Sequence, residues 1–212
     1  MEISSDTKKI VNHDFLTRAY FNNLAESWES KQLKENQKIE ELLSRLDLKN
    51  AETILDIGCG TGVLFPFFEK LTHRKSKIFA IDFAESMVQT AVLNCNGNIG
   101  VICGDSQSLP FKKDYFDRIV AFHVFPHLKK KKIALQEYWQ VLKPEGELAI
   151  IHLRGSDELN NFHAELGGTV ADHSLPSASE LSQTLSEIGY DVRNSIDASG
   201  EYFVRAIKPR TT

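Results

Sequence analysis

Hydrophobic positions follow two different periods along this chain. Between His13 and Trp28, the residues Phe15, Leu16, Ala19, Tyr20, Leu24 and Trp28 recur at helical spacing, and Leu33, Ile39, Leu42, Leu43 and Leu46 do so again. These stretches predict two amphipathic helices. From Thr53 onward, short apolar runs at 53–57, 77–81, 100–103, 117–122, 146–153, 190–196 and 202–208 read as strands bounded by turn residues. Segments of helical length separate most of them, which is the pattern of βαβ units in a parallel sheet. The last two runs are joined only by Asp197 to Glu201, too short for a helical crossover, so they require an antiparallel neighbour. The expected fold class is α/β: a Rossmann-like, seven-stranded, mostly parallel sheet with an antiparallel last strand, helices on both faces and two N-terminal helices. Gly167-Gly168 and Leu175-Pro176-Ser177 punctuate the stretch 154–176, which is expected to be a mobile lid loop, with Ser177 or Ser179 capping the helix that follows.

Length and composition narrow the classes of function. A chain of 212 residues supports one sizeable core, so 1–48 is read as a helical extension packed on the main domain, 49–212, within one structural domain. A formal charge of -4 gives no general attraction to nucleic acid or to an anionic membrane. The run Lys129 to Lys132, at the start of a helix where positive charge opposes the dipole, is expected to be a solvated surface. Cys59, Cys95 and Cys103 form no CxxC pair and suggest neither a zinc knuckle nor a disulfide framework, which fits a reducing cytoplasm. No run approaches the roughly 20 apolar residues of a membrane span, and Met1 to Lys9 lacks the apolar core of a signal peptide.

The first strand runs through Ile54-Leu55-Asp56-Ile57 into Gly58-Cys59-Gly60-Thr61-Gly62. Glycines here let the backbone approach a ligand closely. They are spaced by two, whereas the dinucleotide fingerprint sets its third glycine three residues after its second, so an NAD-dependent oxidoreductase is disfavoured. Asp82 ends the next strand at about the spacing, roughly 20 residues after the loop, where an acid can bond ribose hydroxyls. Either feature alone also reads as a tight turn or a helix cap. Together they point to a ribose-bearing cofactor.

Three further motifs follow in order: Gly104-Asp105-Ser106 with Leu109-Pro110-Phe111, Phe116-Asp117-Arg118-Ile119-Val120, and Val141-Leu142-Lys143-Pro144-Glu145-Gly146. With the glycine loop and Asp82-Phe83, Ser86 and Met87, they resemble the class I S-adenosylmethionine-dependent methyltransferases, in particular the small-molecule group of ubiquinone and menaquinone C-methyltransferases (methyltransferase type 11). The likeness covers 53–153, about half the chain. It implies that S-adenosylmethionine is the cofactor and S-adenosylhomocysteine the product. It further implies that Asp56, Gly58, Cys59, Gly60 and Gly62 approach the methionine part, that Asp82 holds the ribose, that Phe83 or Met87 packs on adenine, and that Asp105 accepts from the adenine amino group with Gly104 and Ser106 beside it. Phe122 is a further cofactor contact. The N-terminal extension then covers the cofactor site.

Methyl transfer from a sulfonium needs alignment and exclusion of water more than a protein nucleophile. A phenol or neutral amine acceptor benefits from a general base. Five of the seven histidines, His123, His127, His152, His163 and His173, lie in the substrate half. His123, His127 and His152 are the candidate catalytic residues, one of them as base. The alternatives are that several bind a metal or metal-containing acceptor, or that strand-end histidines satisfy local backbone bonds. No fixed-spacing ligand motif is present, so no metal site is assigned. Tyr20, Phe125, Arg154 and His163 are candidate substrate contacts, with Phe122, Phe162 and Trp28 available to enclose a flat acceptor or to serve the core. The function expected is methylation of a small-molecule acceptor, with no nucleic acid or membrane partner. The alternatives are a non-catalytic cofactor-binding sensor or partner subunit, or a methyltransferase with a metal-containing or macromolecular acceptor. Phe122-His123-Val124-Phe125 stands where amino-group methyltransferases carry an Asn-Pro-Pro-Tyr type motif, which disfavours an amino acceptor.

Overall fold

The computed structural model describes residues 15–26 and 35–210. Helix α1 covers 15–26 and α2 Asn36–Ser44. Then come β1 (Thr53–Ile57), α3 (Phe65–Leu71), β2 (Lys77–Asp82), α4 (Glu85–Asn94), β3 (Ile99–Cys103) and β4 (Phe116–Phe122). The chain continues through α5 (Lys131–Val141), β5 (Leu142–His152), α6 (Ser156–Leu166), α7 (Ala178–Ile188), β6 (Asp191–Ala198) and β7 (Glu201–Ile207). His13, Trp28 and Leu33 lie outside the described residues.

The seven strands form one sheet in the order β3-β2-β1-β4-β5-β7-β6. β7 runs antiparallel to β6, as the short final connection requires, and it is antiparallel to β5 as well. Helices cover both faces, so the central strands are apolar on both sides. Leu55, Ile57, Ile119, Ala121, Leu148 and Ile150 pack under α5 and α7, while Ile54, Val120, Ala149 and Ile151 face α2 and α3. Asp56 breaks this pattern: it is a carboxyl in a strand buried along its whole length. β1 pairs with β2 on one side and β4 on the other. Connections therefore diverge at β1, opening a crevice beyond the carboxyl ends of β1 and β4, where ligands bind in open α/β sheets.

α1 is docked on the start of α4. Phe21 and Ala25 pack on Ala84 and Met87, the Asn22 side-chain oxygen accepts the Ser86 N–H at 2.9 Å, and Arg18 pairs with Glu85 at 2.8 Å.

Three local expectations need correction. β5 begins at Leu142 rather than Gly146, because Phe116 pairs with Leu142 before a register shift lets Arg118 pair with Glu147. Pro144-Glu145-Gly146 is thus an irregularity inside the strand and not its boundary. Lys131 is not a solvated lysine: its Nζ donates to the carbonyls of Pro126 and Leu128 at 3.2 and 3.0 Å, satisfying the end of a 3-10 turn, Phe125–His127. The stretch 154–176 is no loop, since α6 occupies half of it and Gly168–Val170 forms another 3-10 turn.

The side chain of Asp197 explains why α6 is fixed. It accepts from the Ser156 N–H at 2.8 Å, the Ser156 hydroxyl at 2.7 Å and the Ala178 N–H at 3.1 Å, tying the starts of α6 and α7 to β6. Asn160 adds a reciprocal pair with the backbone of Leu175 at 2.9 and 2.7 Å. Ser177 forms a capping box with Glu180 at the start of α7. Replacing Asp197 with Ala strands three donors, and urea denaturation is expected to show a loss of about 1–3 kcal/mol, with Asp197→Asn losing less. An unchanged midpoint for the alanine variant would show that α6 is held by other contacts.

Candidate active site

The loop after β1 is shaped by the sheet beside it. Gly58 and Cys59 both donate N–H to the Ile81 carbonyl, at 2.8 and 3.1 Å, and the Gly60 N–H donates to Asp82 Oδ2 at 2.9 Å. The other oxygen of Asp82 accepts from the Ala84 N–H at 2.9 Å, so this acid caps the turn into α4 and anchors the glycine loop together. Burial pushes its carboxyl above the usual range, opposed by the backbone N–H groups of Ala84, Gly60 and Phe83. Gly58 has φ 66°, and a Cβ there would lie 2.3 Å from Val124 Cγ2, so only glycine lets the loop cross the end of β4.

A cavity opens over this loop, bordered by Asp56, Gly58, Cys59, Gly60, Asp82, Phe83, Met87 and Phe122. Past Gly58, Asp82 and Phe83 it shares a wall with a second cavity, which reaches Gly104, Asp105 and Ser106. Of the residues assigned to the cofactor, only Gly62 borders neither: its φ is 90° and a Cβ would meet the Phe65 ring at 2.5 Å, so it turns the chain into α3. Asp105 Oδ1 accepts from the backbone and side-chain N–H groups of Gln107, at 2.8 and 3.1 Å.

A third cavity lies beyond the ends of β4 and β5 and is bordered by His123, His127, His152, His163, Arg154 and Phe162. Burial, above all other causes, holds His123 down to about 4 and depresses His127 and His152 well below the ordinary imidazole value, so all three rings are neutral at pH 7. His123 Nε2 accepts the Leu153 N–H at 3.2 Å, the local backbone bond expected of a strand-end histidine. His152 differs: both its ring nitrogens are buried without a hydrogen-bond partner. Arg154 stacks its guanidinium 4.1 Å from the Phe162 ring centre and pairs with Glu158 at 3.6 Å. Among the described residues, no three of His, Cys, Asp or Glu converge as metal ligands.

Two expected substrate contacts are corrected. Phe125 is fully buried in the core under α5, because the 3-10 turn directs it beneath the sheet end. Tyr20 borders none of the three cavities described; its neighbour Phe21 does, with its ring 4.9 Å from that of His127. Consecutive residues point about 100° apart round a helix, and the seating of α1 on α4 turns Phe21 rather than Tyr20 toward the cavity.

Residues 55–150 match the family model described as "Methyltransferase domain". The chain is 26% identical to a SAM-dependent methyltransferase from Aquifex aeolicus of known structure, with a TM-score of 0.68, covering 84% of this chain and 96% of that one. This chain carries a class I S-adenosylmethionine-dependent methyltransferase domain. The methyltransferase domain is also similar to the ubiquinone/menaquinone biosynthesis C-methyltransferase UbiE of Yersinia pestis, at 27% identity over 139 residues, or 63% of this chain and 55% of that protein. The chain thus spans about half the length of the curated relatives it matches. Its fold is shared with a Haloferax volcanii methyltransferase solved in complex with the Trm112 activator, at a TM-score of 0.77, 18% identity, and coverage of 90% and 98%. Among the described residues, no helix is long and apolar enough to cross a membrane.

The methyltransferase cofactor, S-adenosylmethionine, fits the first two cavities on an observation independent of resemblance. Asp56 is 1% exposed, its Oδ2 has no hydrogen-bond partner, and burial followed by the charge of Asp82 pushes its carboxyl up to about 8. A ligand ammonium group would supply both the missing partner and the compensating charge. Folding holds a proton on Asp56 that the unfolded chain releases near 3.8, so this stabilisation is complete below that pH and is lost as pH rises through about 8. Asp56→Asn cannot ionise, and its melting temperature is therefore expected to fall less than that of the native protein between pH 3.8 and about 8. The same variant is expected to bind S-adenosylhomocysteine more weakly. A variant with unaltered pH dependence and unaltered affinity would remove Asp56 from the site.

Proposed function

We propose that this domain binds S-adenosylmethionine across the first two cavities and methylates a small-molecule acceptor held in the histidine-lined third. One observation carries the reading: among the described residues, His123 and His127 alone border both the first and the third cavity, so the two spaces meet at those rings. The third cavity, walled by imidazole rings, Leu159 and Phe162, suits a small molecule, and the chain's net charge of -4 does not favour a polyanionic acceptor.

When bound, the cofactor supplies a methyl group already activated by its sulfonium, so the chain's task is placement. Asp82 is positioned to accept from the ribose hydroxyls while it holds the loop, Asp56 to meet the ammonium, and Phe83 and Met87 to provide apolar wall. Asp105 and Ser106 stand at the far end for the adenine. Phe21 of α1 closes the near side against Phe83 and His127, at ring separations of 6.1 and 4.9 Å, and keeps water out. In this reading the N-terminal extension is a cover for the site. The three free cysteines fit a reducing, cytoplasmic setting.

The experiment is to fill the third cavity with Leu159→Trp and follow two readouts: S-adenosylhomocysteine affinity by calorimetry, and transfer of labelled methyl from S-adenosylmethionine to a panel of phenols, thiols and carbon acids. Retained affinity with transfer lost supports the assignment. Transfer that persists with the cavity filled refutes it.

A further inference from the structure

His123 and His127 stand where the cofactor and acceptor cavities meet, but they are not chemically equivalent. The bond from the Leu153 N–H at 3.2 Å occupies the lone pair on His123 Nε2. A neutral His123 therefore carries its proton on Nδ1, and taking a second proton would break that bond. His123 is a donor and not a base. His127 instead faces another histidine: its Nδ1 lies 2.8 Å from the Nδ1 of His173. Two ring nitrogens at that distance share one proton, since two N–H groups would collide and two lone pairs would repel. A proton added at His127 Nε2 gives a charged ring whose Nδ1–H is accepted by His173, so the contact strengthens as charge arrives.

His173 is itself held in place. It is 4% exposed, lies in the connection between α6 and α7, and its carbonyl accepts the Nδ1–H of His163 at 2.7 Å. That bond orients the His163 ring. His152, with both ring nitrogens buried and unpartnered, offers one donor and one acceptor at the far end of the cavity.

We propose that His127 and His173 form a proton-accepting pair, in which His127 Nε2 removes the proton of an acidic O–H or S–H acceptor and His173 is the positioning residue. The inference rests on reading the third cavity as the acceptor site. The acceptor's X–H electron pair becomes the new bond to the methyl carbon, the electrons of the broken S–C bond stay on sulfur, and the proton moves to His127 Nε2. It leaves for solvent once product departs. The groups around His127 are His123, His163, His173 and Lys131, with Asp56 and Asp82 across the cofactor cavity. Burial and these imidazole and ammonium neighbours keep the ring unprotonated, and hence competent as a base, at neutral pH.

The test has two parts. Nitrogen-15 histidine NMR of the S-adenosylhomocysteine complex is expected to show one proton shared between the two Nδ1 atoms, lost in His173→Leu; two rings that titrate independently would overturn the pair. Methyl transfer from S-adenosylmethionine to phenol, 4-nitrophenol, thiophenol and 4-nitrothiophenol then reads the chemistry, the oxygen and sulfur probes showing which acceptor atom is used. His127→Gln is expected to lower kcat by roughly 100- to 10,000-fold with KM little changed, and its residual rate should follow the ionised fraction of the probe with pH. His173→Asn, whose amide can replace Nδ1, should retain most of the activity that His173→Leu loses. If the native protein binds S-adenosylhomocysteine but methylates none of the four probes, or if His127→Gln is unimpaired, the proposal fails. Failure of the native protein to bind S-adenosylhomocysteine would instead defeat the reading beneath it.

Discussion

Asp82→Ala is expected to weaken S-adenosylhomocysteine binding by roughly 100- to 10,000-fold, measured by calorimetric titration. A hydrogen bond to a charged acceptor contributes about 1.5–3 kcal/mol, and two ribose hydroxyls would be lost together, which gives that range at about 1.4 kcal/mol per tenfold. The loss is compounded in the free protein, because Asp82 Oδ2 also fixes the Gly60 N–H at 2.9 Å and Oδ1 fixes Ala84 at 2.9 Å. Asp82→Asn separates the two roles. Its amide retains one acceptor and much of the shape, so it should preserve fold stability better than affinity. Equal affinity in Asp82→Ala and the native protein would mean that the acid only caps the turn.

Gly58→Ala is expected to destabilise the domain by about 2–5 kcal/mol. A φ of 66° costs a residue with a Cβ about 1–2 kcal/mol, and inserting a methyl into a filled space costs about 1–3 kcal/mol more. The new Cβ would lie 2.3 Å from Val124 Cγ2 and 2.5 Å from Val124 Cβ. Combining Gly58→Ala with Val124→Gly removes the collision but not the backbone strain, and should restore only part of the loss in urea unfolding. Full restoration would assign the whole effect to packing. Either way the loop shifts away from Ile81, so affinity for S-adenosylhomocysteine should fall along with stability.

Parts of this site are legible in the sequence because the backbone dictates the residue type. Gly58 is forced by its φ and by Val124, and Asp82 by its place at a strand end beside the loop. Sheet direction is equally legible at the C-terminus, where the short link after residue 196 excludes a crossover. Other features depend on neighbours far away in sequence. Asp56 sits visibly in an apolar strand, but its unpartnered oxygen exists only once β1 is covered on both faces. Gly167-Gly168 resembles loop punctuation, yet Gly167, at φ 64°, ends α6, and the helix before it is set by Asp197 from another strand. The choice between Tyr20 and Phe21 turns on the rotation of α1, which helical periodicity leaves open by one residue. His173 lies 46 residues from His127, and no spacing rule links them.

The most direct test of the central claim is calorimetric titration of the native protein with S-adenosylhomocysteine, with NAD as the comparison ligand. The account predicts saturable one-to-one binding of S-adenosylhomocysteine, with a negative heat-capacity change as the adenosyl and methionine parts enter the crevice, and no heat of binding from NAD. Absence of S-adenosylhomocysteine binding, or binding of NAD in its place, would contradict it.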